Sequence, residues 1–202
     1  MAYHVKEIFY SLQGEGANVG RPAVFCRFAG CNLWSGREED RATATCRFCD
    51  TDFLGGYSVG SAGQFAVAIR QHFPDRRQAL VILTGGEPTL QVDDALVNEL
   101  HAMNCFVAME TNGTRLVPRG IDWITVSPKA GTTVAQTWGA ELKIVVPQDG
   151  LDLDAMREWE FDHYFVQPRD GYPDAIKHAV ALAMTDTRWR VSFQAHKFAG
   201  LR

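Results

Sequence analysis

The chain has 202 residues, 46% apolar and 22% charged, with a formal net charge of −4. That size suits one α/β domain whose core needs no disulfide staples, and the charge gives no global attraction to nucleic acid or an anionic membrane. The opening Met1-Ala2-Tyr3-His4-Val5-Lys6 lacks the pattern of a signal peptide, and no apolar run approaches a bilayer span, so a cytoplasmic location is expected, where the five cysteines are thiols or metal ligands.

In chain order, short and nearly continuous apolar runs predict strands at 23–28, 80–83, 106–109, 123–126, 142–146 and 164–166, with a last one at 188–193. Helices are predicted at 62–73, at 93–103, where Val92, Leu96, Val97 and Leu100 recur at helical spacing, and at 174–184, where Ile176, Val180 and Met184 do. Strands alternating with helices imply parallel pairing through right-handed crossovers. The helices are too few for a closed eight-fold barrel. The expectation is a partial, open (βα) barrel of about six mostly parallel core strands, one domain over residues 1–202.

Polar motifs follow four of these strands: Thr84-Gly85-Gly86-Glu87-Pro88, Glu110-Thr111-Asn112-Gly113, Ser127-Pro128-Lys129 and Gln167-Pro168. Sites in parallel α/β folds form at the carboxyl ends of strands, so the four clusters predict one shared mouth.

Cys31 follows the first predicted strand in Gly30-Cys31-Asn32-Leu33-Trp34. Fourteen residues separate it from Cys46, and Arg47 and Phe48 separate Cys46 from Cys49. Three thiolates can hold an iron–sulfur cluster and leave one iron open to a small molecule. A structural zinc site is the alternative, with Cys26, Cys105 or a histidine as fourth ligand. Cys26 and Cys105, in or beside apolar strands, read more simply as core residues. A redox pair at Cys46 and Cys49 is weakly supported, because no helix opens there.

Taken in order, Gly30-Cys31-Asn32-Leu33, Cys46, Cys49-Asp50-Thr51 and Gly85-Gly86-Glu87-Pro88 resemble the radical S-adenosylmethionine (SAM) superfamily. That superfamily usually spaces its cysteines by three residues and then two. The long first gap, with a polar insertion at about 32–45, resembles one subgroup, the 7-carboxy-7-deazaguanine synthases of queuosine and deazapurine biosynthesis. So do Ile8-Phe9-Tyr10-Ser11-Leu12-Gln13-Gly14-Glu15-Gly16, Arg21-Pro22-Ala23-Val24-Phe25-Cys26-Arg27-Phe28 and Gln194-Ala195-His196-Lys197. A glycyl-radical-activating enzyme, whose cysteines keep the short spacing, and a non-catalytic metal-binding module are the competing readings.

The resemblance implies a lyase that converts 6-carboxy-5,6,7,8-tetrahydropterin to 7-carboxy-7-deazaguanine with loss of ammonia. It implies a [4Fe–4S] cluster on the catalytic cysteines Cys31, Cys46 and Cys49, SAM, and Mg2+ at Thr51. The SAM site would draw on Phe48, Cys49, Asp50, Gly86, Thr125, Val126, Ser127, Gln167 and Pro168, with Lys129 nearby and Glu87 available to a cation or ammonium. The pterin would meet Leu12, Gln13, Gly14, Glu15, Thr84 and the carboxylate of Arg202. Arg27 is the candidate cation for the pterin carboxylate, since an unpaired arginine in an apolar strand is costly; a structural pair with Glu7 or Glu15 is the lesser reading. The family is commonly dimeric and takes electrons from a flavodoxin or ferredoxin. His196 has no assigned role.

Overall fold

The computed structural model describes residues 2–75 and 77–201. Among the described residues nine strands form one open sheet: β1 (Tyr3–Leu12), β2 (Pro22–Phe28), β3 (Tyr57–Val59), β4 (Ala79–Gly85), β5 (Cys105–Thr111), β6 (Trp123–Val126), β7 (Trp138–Val146), β8 (Glu160–Pro168) and β9 (Trp189–Val191). Their order is β3-β1-β2-β4-β5-β6-β7-β8-β9. Every pairing from β2 through β9 is parallel, whereas β1 runs antiparallel to both β2 and β3. With β3 and β9 at opposite ends of that order, the barrel is partial and open. The helices are α1 (Ala62–Arg70), α2 (Asp94–Ala102) and α4 (Ala175–Thr185), with single turns at α3 (Leu153–Met156) and α5 (Ala195–Phe198).

The two faces of the sheet follow from the two-residue period of a strand. Val24, Cys26 and Phe28 of β2, Val81 and Leu83 of β4 and Val107 and Met109 of β5 turn outward and pack with Phe65 and Ile69 of α1 and Leu96, Val97 and Leu100 of α2. Leu142, Ile144 and Val166 form a second outer core with Ala179 of α4 and Trp189 of β9. The alternate residues turn inward. Ala23, Leu80, Ile82 and Ala108 fill the floor of the barrel, and polar side chains follow further along the same strands. Helix starts are set locally: Ser61 Oγ accepts the Gln64 N–H at 3.3 Å and Asp93 Oδ1 accepts that of Leu96 at 3.0 Å.

All six predicted core strands and all three helices are present, displaced by a few residues at their ends. Strand β1 is a finding the sequence reading did not contain. Its burial pattern mixes exposed and half-buried positions over ten residues, as an antiparallel strand beside a sheet edge does, so it shows no continuous apolar run. It ends beside the start of β2, Leu12 opposite Pro22, and the turn that follows it folds inward so that Gln13, Gly14 and Glu15 line the barrel cavity. Among the described residues no helix is long and apolar enough to cross a membrane.

Ile144 is fully buried between the sheet and α4. Ile144→Ala is expected to lower the unfolding free energy by about 2–5 kcal/mol in urea titrations, through lost contact and the cavity left behind.

Candidate active site

The carboxyl ends of the parallel strands open into one cavity. Cys31, Cys46, Phe48, Cys49, Asp50 and Thr51 line it from the loop after β2, and Thr84, Gly86, Thr125, Ser127, Gln167 and Pro168 from the strand ends, with Glu15 beside them. An adjoining cavity is lined by Leu12, Gln13, Gly14 and Arg27, and shares Glu15, Asp50, Thr51 and Thr84 with the first. Val126 differs: it is fully buried and packs where a side chain on Gly113 would stand, so strand alternation places Thr125 at the cavity and Val126 behind it. Arg202 lies outside the described residues.

All five cysteines are free thiols. Cys26 and Cys105 lie in the outer apolar core, which removes the two cysteines considered as a fourth zinc ligand. Three thiols thus face a single cavity, a donor set that fits a four-iron cluster with one open iron. Cys31 Sγ accepts the Leu33 N–H at 3.4 Å, while burial raises its thiol above the ordinary value. A hydrogen bond between Cys46 and Cys49 lowers the Cys46 thiol to about 6 and raises that of Cys49. Lys129, which donates to the Ser127 carbonyl at 2.6 Å and to its hydroxyl at 2.9 Å, adds positive potential that favours the Cys46 thiolate.

The Gly-Gly-Glu element is held by the cysteine loop itself. Gly86 N–H donates to the Phe28 carbonyl at 3.0 Å and Glu87 N–H to that of Gly30 at 2.9 Å. A Cβ on Gly86 would stand 1.9 Å from the Gly30 oxygen, and Gly85 sits at φ +114 with Phe28 backbone 2.5 Å from its would-be Cβ. Glycine is therefore required here because two stretches of backbone meet, before any ligand is considered. The reading of Glu87 as available to a cation or ammonium is corrected. Glu87 is fully buried and accepts from Thr89 N at 3.0 Å, Thr89 Oγ1 at 2.6 Å, Thr111 Oγ1 at 2.7 Å and Asn112 N at 2.8 Å. It ties the end of β4 to the end of β5, and Asn112 Nδ2 in turn donates to Asn32 Oδ1 at 2.9 Å, beside Cys31.

Between the two cavities lies a charged network that sequence reasoning largely missed. Lys143 is ion-paired with Glu15 and lies 3.9 Å from Glu110. Glu110 also accepts from Gln13 Nε2 at 2.9 Å and Thr84 Oγ1 at 3.2 Å. Gln167 and Gln194 both donate to Glu15 Oε1, at 3.1 and 3.0 Å. Burial alone would raise the Glu15 carboxyl, but Lys143 and these amides overcome it and hold it below the ordinary carboxylate value. Burial likewise opposes the charge on Lys143, and Glu110 and Glu15 more than restore it, raising its ammonium. The signal for Lys143 was available: it is a lone cation in an apolar run, the same pattern that singled out Arg27.

Arg27 does have the structural partner that seemed the lesser reading. Its Nε lies 3.0 Å from Glu7 Oε1, its cross-strand neighbour, and its guanidinium stands 5.8 Å from the Phe9 ring centroid. It nonetheless lines the second cavity. The C-terminal segment covers that cavity. Ala195 N–H donates to the Gly14 carbonyl at 2.8 Å, His196 packs where a Gly14 side chain would stand, and Lys197 bridges Asp50 at 2.8 Å and Asp170 at 2.7 Å.

No protein-family model matches the chain. Curated relatives match over their whole length. It is 50% identical over 212 residues to the 7-carboxy-7-deazaguanine synthase of Caulobacter vibrioides and 50% identical over 209 residues to that of Burkholderia multivorans, with all of each chain covered. The chain belongs to the 7-carboxy-7-deazaguanine synthase family. The fold agrees: a crystal structure of QueE from Escherichia coli matches with a TM-score of 0.75 at 26% identity, over 97% of this chain and 95% of that one. The family consists of radical SAM enzymes with a [4Fe–4S] cluster, SAM and Mg2+.

Two outcomes test this geometry. Gly86→Ala should cost about 1–3 kcal/mol by overpacking and should sharply reduce the iron retained after anaerobic reconstitution, because the Cys31 loop must move; full iron content would contradict the close approach. Glu15→Gln should cost about 3–5 kcal/mol at neutral pH by leaving Lys143 short of a buried partner. Since the folded-state pKa of Glu15 is depressed, that stabilisation is present above its ordinary 4.5 and lost as pH falls through the folded value. The gap between wild type and variant in urea midpoints should therefore close on acidification.

Proposed function

We propose that this chain converts 6-carboxy-5,6,7,8-tetrahydropterin to 7-carboxy-7-deazaguanine with release of ammonia, in queuosine biosynthesis. The observation that carries this reading is the pair of adjoining cavities, one presenting three unbridged thiols and the other Arg27 with the Gln13–Glu15 turn. Cys31, Cys46 and Cys49 would hold the cluster. When bound, the cluster and SAM supply a 5′-deoxyadenosyl radical that takes a hydrogen atom from the substrate.

The protein's part is position and charge. Phe48 and Asp50 wall the cavity beside Cys49 and would flank the adenosine. Backbone at Gly86, with Thr125 at the end of β6, Ser127, Lys129, Gln167 and Pro168, would hold the rest of SAM. Thr51, on the wall common to both cavities, would give Mg2+ its hydroxyl, the other positions going to substrate and water. Arg27 would receive the pterin carboxylate. Gln13, Glu15, Thr84 and the Leu12 and Gly14 backbone would read the polar edge of the ring. The whole chain would act as one domain, as a cytoplasmic homodimer supplied with electrons by a flavodoxin or ferredoxin.

The test is anaerobic incubation of the reconstituted protein with SAM, reductant, Mg2+ and the carboxylated pterin, followed by mass spectrometry. Deazaguanine product with 5′-deoxyadenosine is expected. Arg27→Ala should raise KM for the pterin at least about tenfold, the worth of one charge-assisted contact, while uncoupled SAM cleavage persists; an unchanged KM would remove Arg27 from the substrate site.

A further inference from the structure

Residues 46–53 carry two of the three cysteines and have no helix or strand of their own. Something else must fix their backbone. The loop is pinned at its start by Cys46 N–H to the Leu33 carbonyl at 3.2 Å and near its end by Gly30 N–H to the Phe53 carbonyl at 3.4 Å. Between these points, the carbonyls of Arg47 and Cys49 both accept from one atom, Nη1 of Arg41, each at 3.1 Å. Arg41 belongs to the inserted segment between Cys31 and Cys46.

The rest of the insertion is built to aim that guanidinium. Arg41 Cζ lies 4.0 Å from the ring centroid of Trp34, close enough for a cation–π contact. Its Nε donates to both oxygens of Glu38, at 2.8 and 2.7 Å. Trp34 is fixed in turn. Its Nε1 donates to the Arg37 carbonyl at 3.0 Å, and its ring meets that of buried Phe53 edge-on at 5.6 Å. Ser35 Oγ donates to Asp40 Oδ2 at 2.5 Å. Gly36, at φ +87, lies where any side chain would strike Leu54 and Phe53. The insertion thus folds back across residues beyond the last cysteine. A surface arginine paired only with a glutamate one turn away contributes little; two backbone carbonyls and an indole face make Arg41 a different case.

We propose that Arg41 is the positioning residue of the cluster site: it clamps the Cys46–Cys49 turn by its carbonyls, so that the insertion supplies the rigidity that a short spacing between the first two cysteines would give covalently. This rests on the assignment of Cys31, Cys46 and Cys49 as cluster ligands. Arg41 itself lines neither cavity and acts through the residues that do, so its effect is on the loop.

The test uses the anaerobically reconstituted protein and two readouts apart from turnover: the rate of iron loss to a ferrous chelator, and amide hydrogen exchange across residues 46–53. Arg41→Ala should lose iron at least about tenfold faster than wild type, as expected for two lost charge-assisted hydrogen bonds, and exchange should rise in that loop and not in β4 or β5. Arg41→Lys keeps the charge but not the planar fork and should fall between the two. Glu39→Gln, on the same turn, should match wild type. Wild-type iron retention and exchange in both Arg41 variants would overturn the clamp. A wild-type protein that builds no cluster would overturn the ligand assignment and the clamp with it.

Discussion

The N–H groups of Gly86 and Glu87 donate to the carbonyls of Phe28 and Gly30, which brings the ends of two adjacent parallel strands within backbone contact. The cysteine loop leaves β2 at that point, so its origin is set by the sheet and not by its own sequence. Glu87 extends the constraint sideways to Thr111 and Asn112, and Asn112 returns it to Asn32. Three strand ends and the residue next to Cys31 are thereby locked in one frame. Each hydrogen bond in it is modest on its own; together they leave no buried carboxylate or amide without a partner, which is what makes such a network rigid.

Charge organises the other half of the mouth. Lys143 projects from β7 between Glu15 and Glu110, with Gln13, Gln167 and Gln194 around them. A buried ion pair of this kind contributes less to net stability than its geometry suggests, because both ions are taken out of water. Its value is in register: it joins the turn after β1 to β5, β7 and β8, and so sets where the wall between the two cavities stands.

Much of this was legible in the sequence. Strand and helix positions followed from apolar runs and helical spacing, because the parallel strands are covered on both faces. The cysteines and the polar motifs marked the mouth, because catalytic residue types cluster after strands. What stayed hidden shares one cause: its signal lies in three-dimensional pairing. Strand β1 alternates too irregularly to read. Lys143 is visible as an isolated cation, but its partners come from the turn after β1 and from β5. Gly86 and Glu87 carry a family motif whose structural share, a backbone approach and a four-fold hydrogen-bonded carboxylate, no spacing announces. Arg41 sits among the charged residues of an insertion that reads as a plain surface loop.

Strand β1 ends beside the start of β2, and the turn at residues 13–16 folds inward from there to meet residues 194–197 across the cavity. Ala195 closes on Gly14, Gln194 on Glu15, and Lys197 on Asp50. Two segments far apart in the sequence therefore meet at the pocket. The strands from β1 to β8 can pair during synthesis before Gln194 exists to hold Glu15. A chain cut just after β9 would keep the whole sheet and leave this side of the site unroofed, so a finished sheet and a finished pocket are separate events.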